Sequence, residues 1–207
     1  MKFFPSKTGR WVVAAALAAL APLSPAGAQT PAPLHIAFVG DSMADGLWGA
    51  MFRRLGKDKC LGERIRLIRK AKNGTGLTRL DQYNWVDEIG KIVEESHPDL
   101  TVGSFGINDR QGIVEKDKRS VAYPSPAFDT RYQAIVGEAI HAALAQGGSM
   151  MIVGLPIMLE DDANADAQAK NKIFEAAVKE AGSDKVSYAQ PWTSGANPEV
   201  YKPYLPN

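Results

Sequence analysis

The sequence predicts an α/β protein, in which a five-stranded, mostly parallel sheet lies between two layers of helices. Short runs that are continuously apolar or alternate between apolar and polar residues recur five times along the chain. Stretches with apolar residues at helical spacing separate these runs. No linker-like tract or internal repeat divides the 207 residues, so a single domain with a three-layer α/β/α sandwich is expected.

Five segments have the pattern of strands. Residues 34–39 form an apolar run that only His35 interrupts, as in a strand buried on both faces. In "RIRLIRK" (64–70) isoleucine and leucine alternate with arginine, which is typical of a strand with one polar face. The remaining three strands are predicted at "LTVGSF" (100–105), "SMMIVGLP" (149–156) and "KVSYA" (185–189).

Four helices are predicted between these strands, each with an apolar stripe. They cover residues 44–55, 83–97, 127–146 and 163–181. The second stripe consists of Trp85, Ile89, Ile92 and Val93, which lie on one side of a helix of 3.6 residues per turn. Helices that connect parallel strands by right-handed crossovers cover both faces of the sheet.

The first 28 residues have the pattern of a secretory signal. Lys2, Lys7 and Arg10 precede an apolar run at 11–21, and Ala-Gly-Ala at 26–28 supplies a cleavage site. An eleven-residue run is too short to span a bilayer of about 30 Å, so a retained anchor is the less favoured alternative. We expect cleavage after Ala28, a domain at 29–207, no stable membrane anchor after cleavage, and a periplasmic or secreted product.

Charge and cysteine content exclude several other classes of protein. The formal charge of +1 argues against a dedicated nucleic-acid binder. Cys60 is the single cysteine, so no intramolecular disulfide forms, and the simplest interpretation is a half-buried apolar residue. No spacing of His, Cys and Asp resembles a metal site, and residues 160–162 are expected to be a solvated loop and helix start. Neither a metal nor a cofactor is predicted.

Three predicted loops, 40–46, 71–78 and 106–112, follow the first three strands. The carboxyl ends of parallel strands meet at one edge of a sheet, where ligands bind. In the first loop Ser42 follows Gly40 at a strand-to-helix turn, where its hydroxyl could attack a carbonyl and its N–H could stabilise the oxyanion. The alternative is that Asp41 or Ser42 only caps the helix.

The second and third loops contain groups that could donate to an oxyanion. Gly74 and Gly76 bring backbone N–H groups close to a reacting atom without a side chain in the way, although such a loop alone is a weak imitation of a phosphate loop. The Asn108 amide is a neutral donor of the kind found in oxyanion holes. Asparagine is also a common turn residue, so Asn108 alone would not indicate catalysis.

Together the segments "FVGDSMADGL", "NGTGLTR" and "FGINDRQG" resemble the motif blocks of the SGNH, or GDSL, hydrolase family, in the same order. The resemblance runs from about residue 34 to the end of the chain and implies the flavodoxin-like sandwich of that family. "VGLPIM" and the following Asn-rich helix resemble a bacterial envelope branch that has long been a domain of unknown function.

This resemblance implies a role for each matching residue. Ser42 is the nucleophile, and the oxyanion hole consists of its own N–H, the Gly76 N–H and the Asn108 side chain. Gly76 fits the family pattern better than Gly74. Gly40, Asp41 and Asp109 support the loops and do not transfer protons.

The family also uses an Asp-x-x-His block after the last strand, and this sequence does not contain one. His35 is early in the first strand, His97 precedes Pro98 before the third strand, and His141 is in the middle of a helix. None of the three is placed to accept the Ser42 proton. We therefore expect a chain that is truncated at its C-terminus and is inactive or nearly so, with a true pseudoenzyme as the other interpretation.

The predicted function is that of an exported serine esterase acting on O-acyl groups of envelope or extracellular carbohydrate. Its partner would be a small acyl ester or an O-acylated glycan, with no nucleic acid. The alternatives are a non-catalytic envelope protein that binds a glycan or acyl ligand, and acyl transfer by the same serine. Trp192, Tyr201 and Tyr204 could line a sugar site, although ordinary packing is the favoured interpretation.

Overall fold

The computed structural model describes residues 31–190, in which strands and helices alternate as the sequence predicts. The strands are β1 (Leu34–Gly40), β2 (Ile65–Arg69), β3 (Leu100–Ser104), β4 (Ile113–Val114), β5 (Ser120–Val121), β6 (Ser149–Val153) and β7 (Val186–Ala189). The helices are α1 (Ser42–Lys57), α2 (Lys59–Arg64), α3 (Trp85–Ser96), α4 (Pro126–Leu144) and α5 (Asp161–Ala181). None of the described helices is both long and apolar enough to cross a membrane.

The main sheet contains five parallel strands in the order β2-β1-β3-β6-β7. The first strand therefore lies between the second and the third, and the order of connection reverses at β1. In register, Gly40 at the end of β1 lies beside Ser104 at the end of β3. This topology places the loops after β1, β2 and β3 next to one another at one edge, as predicted.

Apolar side chains on alternate positions of β1 point to opposite faces of the sheet, so the strand contributes to two cores. Ile36 and Phe38 belong to a cluster against which Leu47, Trp48 and Met51 of α1 pack. Ala37 and Val39 belong to a larger cluster that holds the buried faces of α3, α4 and α5. The predicted α/β/α sandwich with a five-stranded parallel sheet is thereby confirmed.

Polar side chains cap the first residues of four helices, with Asp58 as the cap of α2. The Asp41 carboxylate accepts from the Met43 N–H of α1 at 2.8 Å, and Asn84 accepts from Val86 of α3 at 2.9 Å. Ser125 caps α4, and Pro126 follows it at a position where no backbone N–H is needed. Caps of this kind satisfy donors that the helix itself leaves unpaired.

Several local features differ from the sequence-based expectation. Helix α1 begins at Ser42 and not at residue 44, so most of the predicted 40–46 loop is helical, because Asp41 already provides the cap. Helix α2 and the β4–β5 hairpin were not predicted, since each is too short to show a clear period. The prediction for Cys60 is wrong: the residue is exposed, because α2 buries none of its residues.

The predicted signal at 1–28 and the residues Trp192, Tyr201 and Tyr204 lie outside the described residues. The boundary of the domain at residue 29 stays a prediction.

Candidate active site

The turn from β1 into α1 exposes Ser42 and buries the two residues before it, Gly40 and Asp41. Ser42 is the first residue of α1 and is exposed, and its hydroxyl forms no hydrogen bond within residues 31–190. Gly40 has a φ of 129°, which L-residues rarely adopt, and a Cβ there would lie 1.9 Å from the Ser104 carbonyl oxygen. The Asp41 N–H donates to the same oxygen at 3.2 Å. The turn is therefore locked against the end of β3, with the serine on its outer side.

The loop after β2 is bound to this turn from the other side. The Lys72 N–H donates to the Gly40 carbonyl at 2.8 Å. One turn into α1, the Asp45 carboxylate accepts two hydrogen bonds from the Arg69 guanidinium, at 2.7 and 2.9 Å. The Arg69 hydrogen bond lowers the pKa of Asp45, so this pair is charged at neutral pH. The second loop is thus held beside the start of α1.

Asp109 joins the second and third loops. Its carboxylate, which is fully buried, accepts from the Leu77 N–H at 3.0 Å, the Thr78 N–H at 3.3 Å and the Thr78 hydroxyl at 2.9 Å. A fourth hydrogen bond comes from the Tyr132 hydroxyl of α4 at 2.7 Å. A buried carboxylate needs such donors to offset its lost hydration. These contacts join the Leu77–Thr78 segment to the third loop, and the supporting role of Asp109 in catalysis stays a prediction.

Gly76 lies directly against Asp109, whereas Gly74 has a different role. A Cβ on Gly76 would lie 1.9 Å from Asp109 Oδ1, so no other residue fits at this buried position. Gly74 is exposed, has open space around it, and supplies a φ of 76° for a turn. Glycine is therefore required at position 76 by close packing and favoured at position 74 by the backbone conformation of a turn.

Three residues in these loops each have an N–H hydrogen that could still donate to a bound ligand. The backbone N–H groups of Ser42 and Gly76 have no hydrogen-bond acceptor among the described residues. Asn108 uses one amide hydrogen to donate to the Thr75 carbonyl at 2.8 Å, which orients the side chain and leaves its second hydrogen over. These are the three groups that the sequence assigns to an oxyanion hole, and that assignment stays a prediction.

Asp41 is a buried acid whose pKa differs strongly from its usual value. It is fully buried, Met43 donates to one of its oxygens, and Oδ2 has no hydrogen-bond partner within the described residues. Burial raises its pKa to about 7, and the nearby negative charge of Asp109 adds to this effect. The hydrogen bond from the Met43 N–H acts in the opposite direction and favours the charged form. Asp41 thus titrates near neutral pH next to the serine.

This titration predicts that the protein loses stability as the pH rises. Between an unfolded pKa of 3.8 and a folded value of about 7, the folded state binds more protons than the unfolded state. The contribution of Asp41 is therefore fully present below about pH 4 and is lost as the pH rises through 7, by a few kcal/mol in total. Urea unfolding of the parent and of Asp41→Asn at pH 5 and pH 8 measures it. We expect a fall in the free energy of unfolding for the parent that Asp41→Asn does not share, and parallel profiles would contradict the assignment.

None of the three histidines lies at the edge of the sheet that holds Ser42. His35 is in the first half of β1, and Ser42 comes after the opposite end of that strand. His97 ends α3 in a left-handed conformation and leads into the start of β3. His141 is exposed in the last turn of α4. Within residues 31–190 the site therefore has no histidine to serve as base. No group of three or more described His, Cys, Asp or Glu residues is arranged to hold a metal ion.

Sequence reasoning missed the polar residues that support the third loop from behind. Tyr132 was predicted only as an apolar member of the α4 stripe, yet its hydroxyl binds Asp109. Lys170 of α5 is buried, forms an ion pair with Asp166, and its stem lies beside Gly106. The Tyr123 hydroxyl donates to the same Asp166 at 2.5 Å. The only available signal was a lysine on the apolar stripe of a helix.

The structure places a serine at the start of a helix, beside an asparagine loop and a glycine loop at one edge of a parallel sheet. This is the arrangement that the resemblance to SGNH hydrolases implies. The predicted resemblance is confirmed at this level. The family model "Protein of unknown function (DUF459)" matches residues 35–207, and the chain belongs to this family. No curated protein matches the sequence.

Solved structures share this fold at low sequence identity. LAE5, an alpha/beta hydrolase enzyme from the metagenome of Lake Arreo, Spain, is 17% identical with a TM-score of 0.52, over 74% of this chain and 76% of that one. A catalytic mutant of Axe2, an acetylxylan esterase from Geobacillus stearothermophilus, is 15% identical with a TM-score of 0.51, over 74% of this chain and 75% of that one. Both similarities concern the fold.

Proposed function

We propose that this chain is an exported serine esterase of the SGNH type that acts on O-acyl ester bonds of envelope or extracellular carbohydrate. The observation that carries the proposal is the exposed Ser42 hydroxyl, which lies at the same sheet edge as three available N–H donors. The N-terminal pattern of basic residues, apolar run and Ala-Gly-Ala supports export to the periplasm or the medium. The esterase activity of Axe2, which has the same fold, favours an acylated glycan as substrate.

The proposed reaction begins when Ser42 Oγ attacks the carbonyl carbon of the ester. The carbonyl oxygen becomes an oxyanion, which the N–H groups of Ser42 and Gly76 and the Asn108 amide stabilise. Each such donor lowers the barrier by about 3–4 kcal/mol in comparable sites. The oxyanion then collapses and breaks the C–O bond to the alcohol oxygen, which takes up a proton equivalent to the one that Ser42 released. Water then attacks the acyl-serine, which releases the carboxylic acid and restores the Ser42 hydroxyl. Hydrogen bonds between the loops, such as the one from Asn108 to Thr75, hold the donors in place before substrate arrives. The site therefore needs little reorganisation when substrate binds.

The hydroxyl proton needs a base, and residues 31–190 place no histidine beside Ser42. We propose that the activity of the chain is near the residual level of about 10³–10⁴-fold over water, which oxyanion stabilisation and binding provide without a complete triad. A base added from solution should then increase the rate through Ser42.

This missing base gives the test of the nucleophile. We expect slow turnover of p-nitrophenyl acetate by the purified chain and an increase of at least about tenfold in the enzyme-dependent rate with added imidazole. Ser42→Ala should lose that increase, whereas Ser187→Ala, which changes an exposed serine of β7, should keep it. An imidazole-supported rate that is the same in Ser42→Ala and the parent would refute the assignment.

The positions of His35, His97 and His141 favour a second function, in which the chain binds an acylated glycan without cleaving it. Acetylated xylo-oligosaccharide titrated into the chain in a calorimeter separates the two. Heat that depends on Asn108 without ester cleavage supports binding alone, and no heat at millimolar ligand argues against it.

A further inference from the structure

Charge is strongly segregated in this protein. Residues 53–72, which comprise the end of α1, the helix α2 and the edge strand β2, contain nine Lys or Arg residues and two acidic residues. The other described residues, 31–52 and 73–190, contain eleven basic and twenty acidic residues. A near-neutral total charge therefore hides a strongly basic edge on an otherwise acidic molecule. We call residues 52–72 the basic edge.

Most of these cations are free. Arg53, Arg54, Lys57, Lys59 and Arg64 are exposed, and none forms an ion pair with a described residue. Elsewhere in the described chain, Lys91, Lys116 and Arg119 are paired with carboxylates. The exposed Lys172, Lys179 and Lys185 also lack an ion pair within residues 31–190, but they are interspersed with an equal number of acidic residues. A cluster of unpaired like charges repels itself in water, so an anionic partner would relieve a cost that the free protein carries.

Apolar side chains lie exposed among the cations. Phe52 is 59% exposed and stacks on the Trp48 ring at 5.2 Å, and Leu61 is 38% exposed. Beside Phe52, an apolar cavity of about 360 Å³ has a lining that includes Trp48, Leu55, Ile65 and Leu67. The Arg69 guanidinium lies 4.8 Å from the Trp48 ring centre. Thus exposed aromatic and aliphatic side chains lie in the same segment as the unpaired cations.

We propose that the basic edge is a peripheral docking surface for a membrane that carries anionic lipid headgroups. Lys and Arg side chains bind the headgroup phosphates, while Phe52 and Leu61 enter the boundary between headgroups and acyl chains. The charge complementarity of an unpaired cationic edge and an anionic lipid surface carries the proposal. It is independent of the chemistry at Ser42.

The exposed aliphatic residues favour lipid over nucleic acid. A single-stranded nucleic acid would stack its bases on aromatic rings and would gain nothing specific from Leu61 or from an aliphatic cavity wall. An acyl region gains from burying every apolar side chain, whether aromatic or aliphatic. Docking at this edge would orient α1, and with it Ser42, at a fixed angle to the membrane.

Vesicle co-sedimentation tests the proposal. All described strands and helices lie within residues 31–190, so the chain beginning at Gln29 is used, which leaves out the apolar run 11–21. We expect binding to vesicles that contain phosphatidylglycerol, none to pure phosphatidylcholine, and a decrease at 0.5 M NaCl. The variant Arg53→Gln/Arg54→Gln/Lys57→Gln should lower partitioning about a hundredfold, since each charge near such a surface contributes about fivefold.

A matched control also removes three positive charges, but from α5 and from the opposite edge of the sheet. Lys172→Gln/Lys179→Gln/Lys185→Gln changes exposed lysines and should bind as the parent does. Phe52→Ser should lower partitioning about tenfold without changing the salt dependence. Equal loss in both triple variants, no vesicle binding, or unchanged binding in Phe52→Ser would overturn the proposal. So would tighter binding to single-stranded DNA than to the vesicles.

The single cysteine supplies an independent spectroscopic readout. Cys60 is exposed and lies within the basic edge. An environment-sensitive fluorophore attached there should shift its emission to the blue when anionic vesicles are added. The same fluorophore on the variant Cys60→Ser/Ser187→Cys, at a β7 position, should not shift. Equal shifts at both positions would indicate adsorption without a defined face.

Discussion

Replacing Gly40 with alanine is expected to destabilise the protein on the order of 4 kcal/mol, enough to prevent folding at moderate temperature. The added Cβ would lie 1.9 Å from the Ser104 carbonyl oxygen and 3.1 Å from the Ala44 Cβ, and neither atom belongs to a flexible side chain. The φ of 129° adds backbone strain. Relief requires separation of β1 from β3, where the register pairs Gly40 with Ser104.

Urea unfolding followed by circular dichroism measures this loss as a fall of about 2 M in the midpoint. Gly46→Ala is the matched control, since a Cβ there meets nothing within 4 Å in helix α1. We expect that control to gain up to about 1 kcal/mol, because alanine favours helix more than glycine does. Equal midpoints for Gly40→Ala and the parent would show that the turn is looser than its contacts indicate.

Asp109→Ala should cost about 3–5 kcal/mol and also abolish the imidazole-supported rate of Ser42. The substitution leaves four buried donors on Leu77, Thr78 and Tyr132 without an acceptor, and each unsatisfied donor costs about 1–3 kcal/mol in a non-additive way. It also removes the carboxylate that holds the Gly76 segment beside the third loop. Stability and the oxyanion donors are therefore lost together.

Graded variants separate these effects. Tyr132→Phe removes one of the four donors and should cost about 1 kcal/mol, while Asp184→Ala changes an exposed carboxylate and should stay within about 0.5 kcal/mol of the parent. Unfolding in urea and the imidazole-supported rate are measured for all three variants. A stable Asp109→Ala protein with the parent rate would mean that the carboxylate does not organise the loops.

The secondary structure was predictable from local patterns because its elements bury continuous apolar faces. Trp85, Ile89, Ile92 and Val93 are all buried, as their helical spacing requires. The same logic failed for α2 and for the β4–β5 hairpin, because six and two residues are too few to establish a period. Cys60 was misplaced for the same reason, since a residue type indicates burial only when its element is known.

The sequence predicted at which edge of the sheet the site residues lie, but it did not predict which side chains contact one another there. Strand ends place Ser42, Gly76 and Asn108 at one edge of a parallel sheet, and motif order made the same assignment. Which glycine approaches the third loop depends on Asp109, which is 33 positions further along the chain. The supporting role of the Tyr132 hydroxyl likewise depends on how α4 packs against the loops.

The sequence by itself determined the alternation of strands and helices, the edge at which the three loops meet, and the mismatch between an available serine and the positions of the histidines. These follow from chain order and local periodicity, which need no knowledge of long-range contacts. Only the tertiary structure decided that Asp41 is buried with a raised pKa, that Asp109 accepts from four donors, and that most cations of residues 53–72 have no ion-pair partner within the described part of the chain. Burial, hydrogen bonding and ion pairing arise between residues distant in sequence, and folding alone brings those residues together.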